Sequence, residues 1–436
     1  MQTIYNIIFA VIMVVISPFY MIKLWRRGDW QKGFGQRFGK FDHKIKQAVT
    51  NSHVVWIHGV SVGEANIAIN LVQKLEALKP LIKFVVSCTT STGMAQYRRN
   101  LPNYVSKIYY PIDFKNFVDR ALGVIRPELI VLVEAEIWPN FLWRARRRKI
   151  PVMLVNARIS PSSYARYKRF GFIFRPLFGQ FVMVGAQNEE DRKRLIQLGC
   201  KPDRVHVTGP MKFDNTRPAA QTRLDAGKLL ELIGIPQDAK IILAGSTHQG
   251  EEKIIASAYQ KLKERIPNLF LILVPRHHER GSAVGADMKD LNLSFRYRTD
   301  LSSMRKPSDH RMCDCLIVNT TGELVFFYEV ATVVFIGKSL GGRGGQNPIE
   351  PASMGLPVLF GPYMDNFRDI SDALVENGAA LVVQDESSLE QNLENLLSSS
   401  SMRNAMGAAA VETTKERQGA LGTTLDLIEK YFPHID

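Results

Sequence analysis

Val54-Val55-Trp56-Ile57-His58-Gly59-Val60-Ser61-Val62-Gly63-Glu64, with residues 65–78 after it, is the stretch on which the fold turns. Val54–His58 reads as a strand buried on both faces, a short β-branched and aromatic run ended by glycine. Residues 65–78 then place Ile67, Leu71, Leu75 and Leu78 at helical spacing. Strand, tight loop, helix is half of a parallel βαβ unit, and the pattern recurs. Further strands are expected at 84–86, 107–110, 129–133, 152–155, 181–184 and 205–207. Helices, not tight hairpins, separate them, which indicates a mostly parallel sheet covered on both sides, a doubly wound α/β domain.

The alternation breaks at 209–237, where Pro210, Pro218 and Pro236 flank the polar run Asp214-Asn215-Thr216-Arg217, as expected of a crossover between domains. A second series follows, with strands at 241–244, 271–274, 316–318, 333–336, 358–360 and 380–383 and helices at 251–265 and 389–397. Two doubly wound domains of similar size result, with no solenoid repeat. Ligands of such sheets bind beyond the carboxyl ends of the strands, so the chemistry is sought in post-strand motifs facing a cleft. The expected divisions are an N-terminal segment 1–22, a basic linker 23–50, a first domain 51–209, an interdomain linker 210–236, a second domain 237–410, and a C-terminal helix 411–436 returning to the first domain.

The 436 residues carry 56 basic and 42 acidic side chains, a formal charge of +14, which favours anionic partners. Residues 1–22 hold no charged side chain and as a helix would reach about 33 Å, the thickness of a bilayer core. No basic leader or small-residue cleavage site marks a signal peptide. Lys23, Arg26, Arg27, Lys32, Arg37 and Lys40 follow, so the segment is expected to be a single transmembrane anchor with a cytoplasmic body. A buried helix of a soluble domain is the alternative. Cys88, Cys200, Cys313 and Cys315 follow no zinc or redox spacing and are expected to be reduced thiols. The stretch 144–149, with Arg158, Arg166, Lys168, Arg169 and Arg175, makes the first domain basic; a solvated helix face and a membrane-facing surface both fit. No nucleic-acid-binding signature accompanies this charge.

Ser61-Val62-Gly63-Glu64 lies between a strand and its helix. S-x-x-E is a capping box, and it also puts a carboxylate at the cleft wall, where Glu64 would serve as general base. Glu134-Ala135-Glu136 ends the strand at 129–133, and residues two apart on extended chain share a face. At least one of these acids would bind a cation, a metal or a substrate hydroxyl, or else they complement a helix terminus. Gly245-Ser246-Thr247-His248 after the strand at 241–244 offers hydroxyls and backbone N–H groups to an anion, or an ordinary cap. Arg276-His277-His278 adds a cation at the next strand end, with no partner cluster for a metal. Gly337-Lys338-Ser339-Leu340-Gly341-Gly342-Arg343-Gly344-Gly345-Gln346-Asn347-Pro348-Ile349-Glu350 allows close approach of a ligand to backbone, with Asn347 as N-cap, Pro348 at the first helical position and Glu350 placed to bind a ribose. It fits neither the Walker A nor the dinucleotide fingerprint.

Together with the N-terminal segment, 58–64, 134–139, Asn156-Ala157-Arg158-Ile159-Ser160, 209–214, 245–247, Pro275-Arg276-His277, 345–351, Gly361-Pro362-Tyr363 and Asn366-Phe367, the chain resembles the bacterial 3-deoxy-D-manno-octulosonic acid (Kdo) transferases of lipopolysaccharide synthesis, in order and spacing over nearly its whole length. Gln346 departs from the histidine frequent in that family. The resemblance implies a GT-B glycosyltransferase: two Rossmann-like domains, acceptor on the first and donor on the second. It implies inverting transfer from CMP-Kdo to a lipid A precursor (lipid IVA) at the inner membrane, with no cofactor and no metal. Glu64 would be the base; Ser61, Glu134, Glu136 and Arg158 would position sugar or acceptor. Pro210, Lys212, Ser246, Thr247, Arg276, His277, Gly345, Asn347 and Glu350 would bind the donor. A GT-B enzyme using a nucleotide-diphosphate sugar and a non-catalytic nucleotide-sensing membrane scaffold are the other readings.

Overall fold

Seven strands build the first sheet: β1 Val54–His58, β2 Lys83–Cys88, β3 Ser106–Tyr109, β4 Leu129–Val133, β5 Val152–Ala157, β6 Met183–Ala186 and β7 Val205–Val207. Their order is β3-β2-β1-β4-β5-β6-β7, with parallel pairing. The progression reverses between β1 and β4, where Val55 to His58 pair with Leu129 to Leu132. Alternation along β1 sends Val54 and Trp56 into one core and Val55 and Ile57 into the other, so the sheet is dry on both faces.

The second sheet comprises β8 Lys240–Thr247, β9 Leu269–Pro275, β10 Phe295–Tyr297, β11 Cys315–Ile317, β12 Val333–Ile336, β13 Val358–Phe360 and β14 Ala380–Val382, in the order β10-β11-β9-β8-β12-β13-β14. Its reversal lies between β8 and β12. β10 escaped the sequence reading because it is a three-residue edge strand with Arg296 at its centre. This is a computed structural model; it describes residues 2–26, 33–214, 224–303, 313–342 and 344–431.

The chain divides into two compact units, Met1–Asn215 with Gln418–Asp436, and Thr216–Arg417. In the first, Asp214 accepts the backbone N–H groups of Gly419 and Leu421, both at 2.6 Å, and so holds the helix Ala420–Glu429. In the second, the helix Ala226–Leu232 starts at an Asp225 cap within the expected 210–236 linker. Of that linker, residues 215–223 lie outside the described residues.

Two expectations about the N-terminus are corrected. A helix is present at Gln2–Arg26, but among the described residues no helix is long and apolar enough to cross a membrane. The first turns of this helix carry polar side chains that bind the first unit. The Tyr5 hydroxyl donates to Asp113 (2.9 Å), Asn140 donates to Asn6 (2.7 Å), and Phe9 packs edge-on against Phe114. Ile7, Ile8, Val11, Ile12, Val14 and Val15 are exposed. Nor is 23–50 a basic tether throughout. Phe41, Ile45 and Val49 enter the core, and Arg37 is buried, donating to the Thr89 carbonyl and lying 4.3 Å over the Tyr109 ring. Arg27 and Lys32 lie outside the described residues.

Candidate active site

In the first unit the reversal between β1 and β4 brings three carboxylates to one end of the sheet. Glu64 stands in the first turn of the helix Val62–Leu78 and is only 8% exposed. The capping box forms: the Ser61 hydroxyl accepts Glu64 N–H (3.4 Å), and Glu64 Oε2 accepts Ser61 N–H (3.3 Å) and Val60 N–H. Oε1 is met by the Ser61 hydroxyl at 3.0 Å, a rotor that can turn away, so cap and acid coexist with Oε1 able to accept a further proton. Gly59 is required here, because a Cβ would stand 2.9 Å from both Glu64 Cβ and Glu64 O.

Glu134 follows β4 with φ of 64°, its N–H bound to Val155 O (2.9 Å). A left-handed backbone costs a non-glycine residue about 1–2 kcal/mol. Nine such residues are described, and four of them, Glu134, Asn156, Ser246 and Lys338, stand at the carboxyl ends of β4, β5, β8 and β12. Burial raises the Glu134 pKa, Glu64 raises it further, and Lys212 and Arg158 pull it down. Glu136 rises to about 7 through burial, opposed by the Trp138 indole N–H on Oε2 (2.7 Å) and reinforced by Glu64 and Glu134. Three acids and two cations thus act on one another at this sheet end, an arrangement suited to moving a proton and gripping hydroxyl groups.

Pro210 and Lys212, expected with the donor set, belong to this unit. Their placement depends on Asn156, which the sequence reading did not single out as a site residue. Fully buried at φ 52°, Asn156 accepts Met211 N–H on Oδ1 (3.0 Å), while its buried Nδ2 has no partner. Its signal was the polar side chain closing an apolar strand, since asparagine tolerates left-handed backbone.

Ser246, Thr247, Arg276, His277, Gly345, Asn347 and Glu350 belong to the second unit. Ser246 takes φ 57° beside Gly337, where a Cβ would meet Ser246 O at 2.4 Å. The Thr247 hydroxyl donates to buried Glu252 (2.9 Å), itself paired with Arg280 (2.7 Å). Arg276 and His277 are exposed. The next helix, Glu251–Lys263, begins at Gly250 and not at a serine or threonine cap. Glu251 was also missed. Fully buried, it accepts the N–H groups of His248 (2.8 Å), Lys338 (2.7 Å), Ser339 (2.9 Å) and Leu340 (3.0 Å), so an internal carboxylate occupies the first amides of the glycine-rich loop.

Later in that loop Gly345 takes φ 68° against Met364. Pro348, not Asn347, is the N-cap of the helix Ile349–Ser353. Asn347 instead accepts Ile349 N–H (3.1 Å) two residues on, an Asx turn, and donates to Glu350 Oε1 (3.3 Å). Burial raises the Glu350 pKa, and the Asn347 amide opposes it. A cavity of about 390 Å³ opens beside this loop at the end of β13, lined by Gly361, Met364, Asp365 and Arg368 among others. Arg343 lies outside the described residues. The four cysteines are free and buried.

Residues 32–215 match the family described as 3-deoxy-D-manno-octulosonic-acid transferase (kdotransferase). The 3-deoxy-D-manno-octulosonic acid transferase of Haemophilus influenzae is 32% identical over 379 residues, 86% of this chain and 87% of that one. That of Bordetella pertussis is 32% identical over 432 residues, 95% and 97% of the two chains. Among solved structures, a glycosyltransferase of Rickettsia africae superposes with a TM-score of 0.57 at 13% identity, covering 88% of this chain and all of that one. UDP-GlcNAc 2-epimerase of Neisseria meningitidis gives 0.53 at 15%, covering 87% and 100%. At such identities the structures speak for the fold, two Rossmann-like domains resembling GT-B enzymes, while the sequence relatives carry the family. The chain belongs to the 3-deoxy-D-manno-octulosonic acid transferases, which are glycosyltransferases.

Proposed function

We propose that the protein transfers Kdo from CMP-Kdo to a lipid A precursor such as lipid IVA, with inversion and without a metal, at the inner membrane. The observation that carries this reading is Glu64: a buried acid on the first turn after β1, with one carboxylate oxygen fixed by backbone N–H groups and the other met by a hydroxyl rotor. The acceptor hydroxyl gives its proton to Glu64 Oε1 as its oxygen attacks the anomeric carbon of Kdo. The bond from that carbon to the CMP phosphate oxygen breaks, and CMP leaves with the electron pair. Glu134, Glu136 and Arg158 hold sugar and acceptor hydroxyls, with Ser61 at the base.

In the second unit Ser246, Arg276, His277 and Gly345 bind the departing phosphate and the Kdo carboxylate, with Thr247 shaping the loop through Glu252; in the first unit Pro210 and Lys212 also serve the donor. Asn347 and Glu350 bind the ribose, and the cavity lined by Met364 and Arg368 takes the base. Occupation of the Lys338, Ser339 and Leu340 amides by Glu251 favours a monophosphate donor over a diphosphate, because those N–H groups are already taken. The exposed apolar side chains of the helix Gln2–Arg26, on an element docked through Tyr5 and Asn6, support contact with the bilayer surface. Incubation with CMP-Kdo and lipid IVA in detergent containing EDTA, followed by mass spectrometry of the lipid, tests the proposal. A mass gain of one or more Kdo residues is expected. An unmodified lipid, or a gain only from a nucleotide-diphosphate sugar, refutes it.

A further inference from the structure

His58 ends β1 at the point where the sheet reverses, and its ring is fully buried. It stacks on Tyr110 with centroids 3.8 Å apart and planes at 19°. Nδ1 lies 2.9 Å from Ser87 Oγ and 3.1 Å from Ser87 O, Ser87 being its register partner on β2. The opposite nitrogen, Nε2, is buried with no hydrogen-bond partner and points toward Glu136 Oε2 at 3.9 Å. A shift of about 1 Å in the Glu136 side chain would make that contact a hydrogen bond. The hydroxyl of the stacked Tyr110 is also buried without a partner.

Ser87 offers Nδ1 two unlike oxygens. Its carbonyl can only accept, and it already does so from Gly59 N–H (3.1 Å) and the Tyr97 hydroxyl (3.3 Å), so a ring proton would share it; its hydroxyl accepts from the Trp56 indole N–H (2.7 Å) and has a proton to direct elsewhere. With that proton on Nδ1, the ring proton sits on Nε2 and faces an ionised Glu136. With the ring proton on Nδ1 and donated to the carbonyl, Nε2 is a bare lone pair facing a protonated Glu136. Both states keep the imidazole neutral and Nδ1 within hydrogen-bond distance of a Ser87 oxygen. Between them Glu136 loses one proton to solvent, and the ring retains one throughout.

We propose that His58 and Ser87 form a tautomeric adapter, positioning residues that hold Glu136 in one place whether its carboxyl is charged or neutral. The idea rests on the reading of Glu136 as a sugar-gripping acid, since such a group changes charge as substrate enters and water leaves. Burial keeps the ring from becoming a cation, holding the His58 pKa down to about 3. The groups facing Glu136 are Glu64 from the helix Val62–Leu78, Glu134 on its own loop, Tyr110 after β3, Tyr167 on the helix Pro161–Arg169 and the Trp138 indole. Those facing His58 are Ser87, Tyr110 and Glu136.

The test is ring ¹⁵N NMR of full-length, histidine-labelled protein in detergent from about pH 5 to about pH 9, with the His58 signals assigned through His58→Gln. The wild type is expected to pass from the Nδ1–H to the Nε2–H tautomer as pH rises, with no imidazolium. Glu136→Gln should show one tautomer at every pH, Ser87→Ala should stay in the Nδ1–H form, and Ser87→Thr should restore the transition. Turnover of Ser87→Ala should fall about tenfold on the alkaline side, with KM little changed and Ser87→Thr rescuing it. An imidazolium in this range, a wild-type tautomer that ignores pH, or a transition that survives Glu136→Gln overturns the adapter. The NMR readout needs no substrate. A tautomer shift in a protein that transfers no Kdo would refute the proposed function and leave the adapter standing.

Discussion

The two reversal points of the molecule use carboxylates in opposite ways. At the end of β1 and β4, Glu64, Glu134 and Glu136 crowd one another, and the pKa values of the latter two are pushed up. At the end of β8 and β12, Glu251 and Glu252 are fully buried, turned inward and saturated, one by four backbone N–H groups and the other by Thr247 and Arg280. One sheet end sets acids against one another; the other uses its acids to shape a loop. Equal topology therefore brings acids to matching sheet ends, while the local supply of N–H donors decides whether an acid there is free to titrate near neutrality or is held as a strut.

The sharpest way to break this contrast is Glu64→Gln, which removes the proposed proton acceptor while keeping an oxygen for the cap. Turnover should fall at least about 100-fold, since general bases contribute about 10²–10⁴-fold, with an unchanged far-UV spectrum. Turnover close to wild type in the purified variant would remove the assignment. Glu251→Gln is the converse. An amide in place of the carboxylate brings an NH₂ against backbone donors, so the second unit should lose about 3 kcal/mol in urea unfolding. CMP should bind more weakly, while the carboxylates of the first unit still titrate as before. Gly59→Ala lies between these. Its Cβ would stand 2.9 Å from both the Cβ and the backbone O of Glu64, so the start of that residue's helix must shift, and kcat should drop about tenfold with a measurable fall in Tm.

Much of this was legible in the chain. Runs of Val and Ile place almost every strand because a parallel sheet dry on both faces tolerates little else. The capping box around Glu64 is local, as is the Glu134-Ala135-Glu136 pair, so spacing alone brought them forward. Glu251 and Glu252 escaped because their partners are distant. The Lys338, Ser339 and Leu340 amides lie 87 to 89 residues away in sequence, and a Gly-Ser-Thr turn reads as a cap until that loop is seen lying on it. The N-terminus misled for a related reason. Its uncharged first residues suit a bilayer, but Tyr5 and Asn6 are satisfied by Asp113 and Asn140, more than 100 positions downstream.

That docking contact gives the smallest effect and tests whether a carboxylate used as a strut can also be costly. Asp113 accepts Asn140 N–H (3.0 Å), Phe141 N–H (2.9 Å) and the Tyr5 hydroxyl (2.9 Å), yet burial dominates and lifts its pKa from 3.8 to about 7. The folded protein then binds more protons than the unfolded chain between these values, so this group's contribution to stability is present below about 4 and is lost as pH rises through about 7. Tyr5→Phe removes a donor to the ionised form, which moves the folded pKa higher and steepens the loss on the alkaline side, by about 1 kcal/mol. Asp113→Asn should flatten the profile across the same window. Urea midpoints at a series of pH values measure both. A Tyr5→Phe curve parallel to wild type would mean that the hydroxyl does not sense the charge on Asp113, and that the apolar contacts of Phe9, not this hydrogen bond, hold the helix in place.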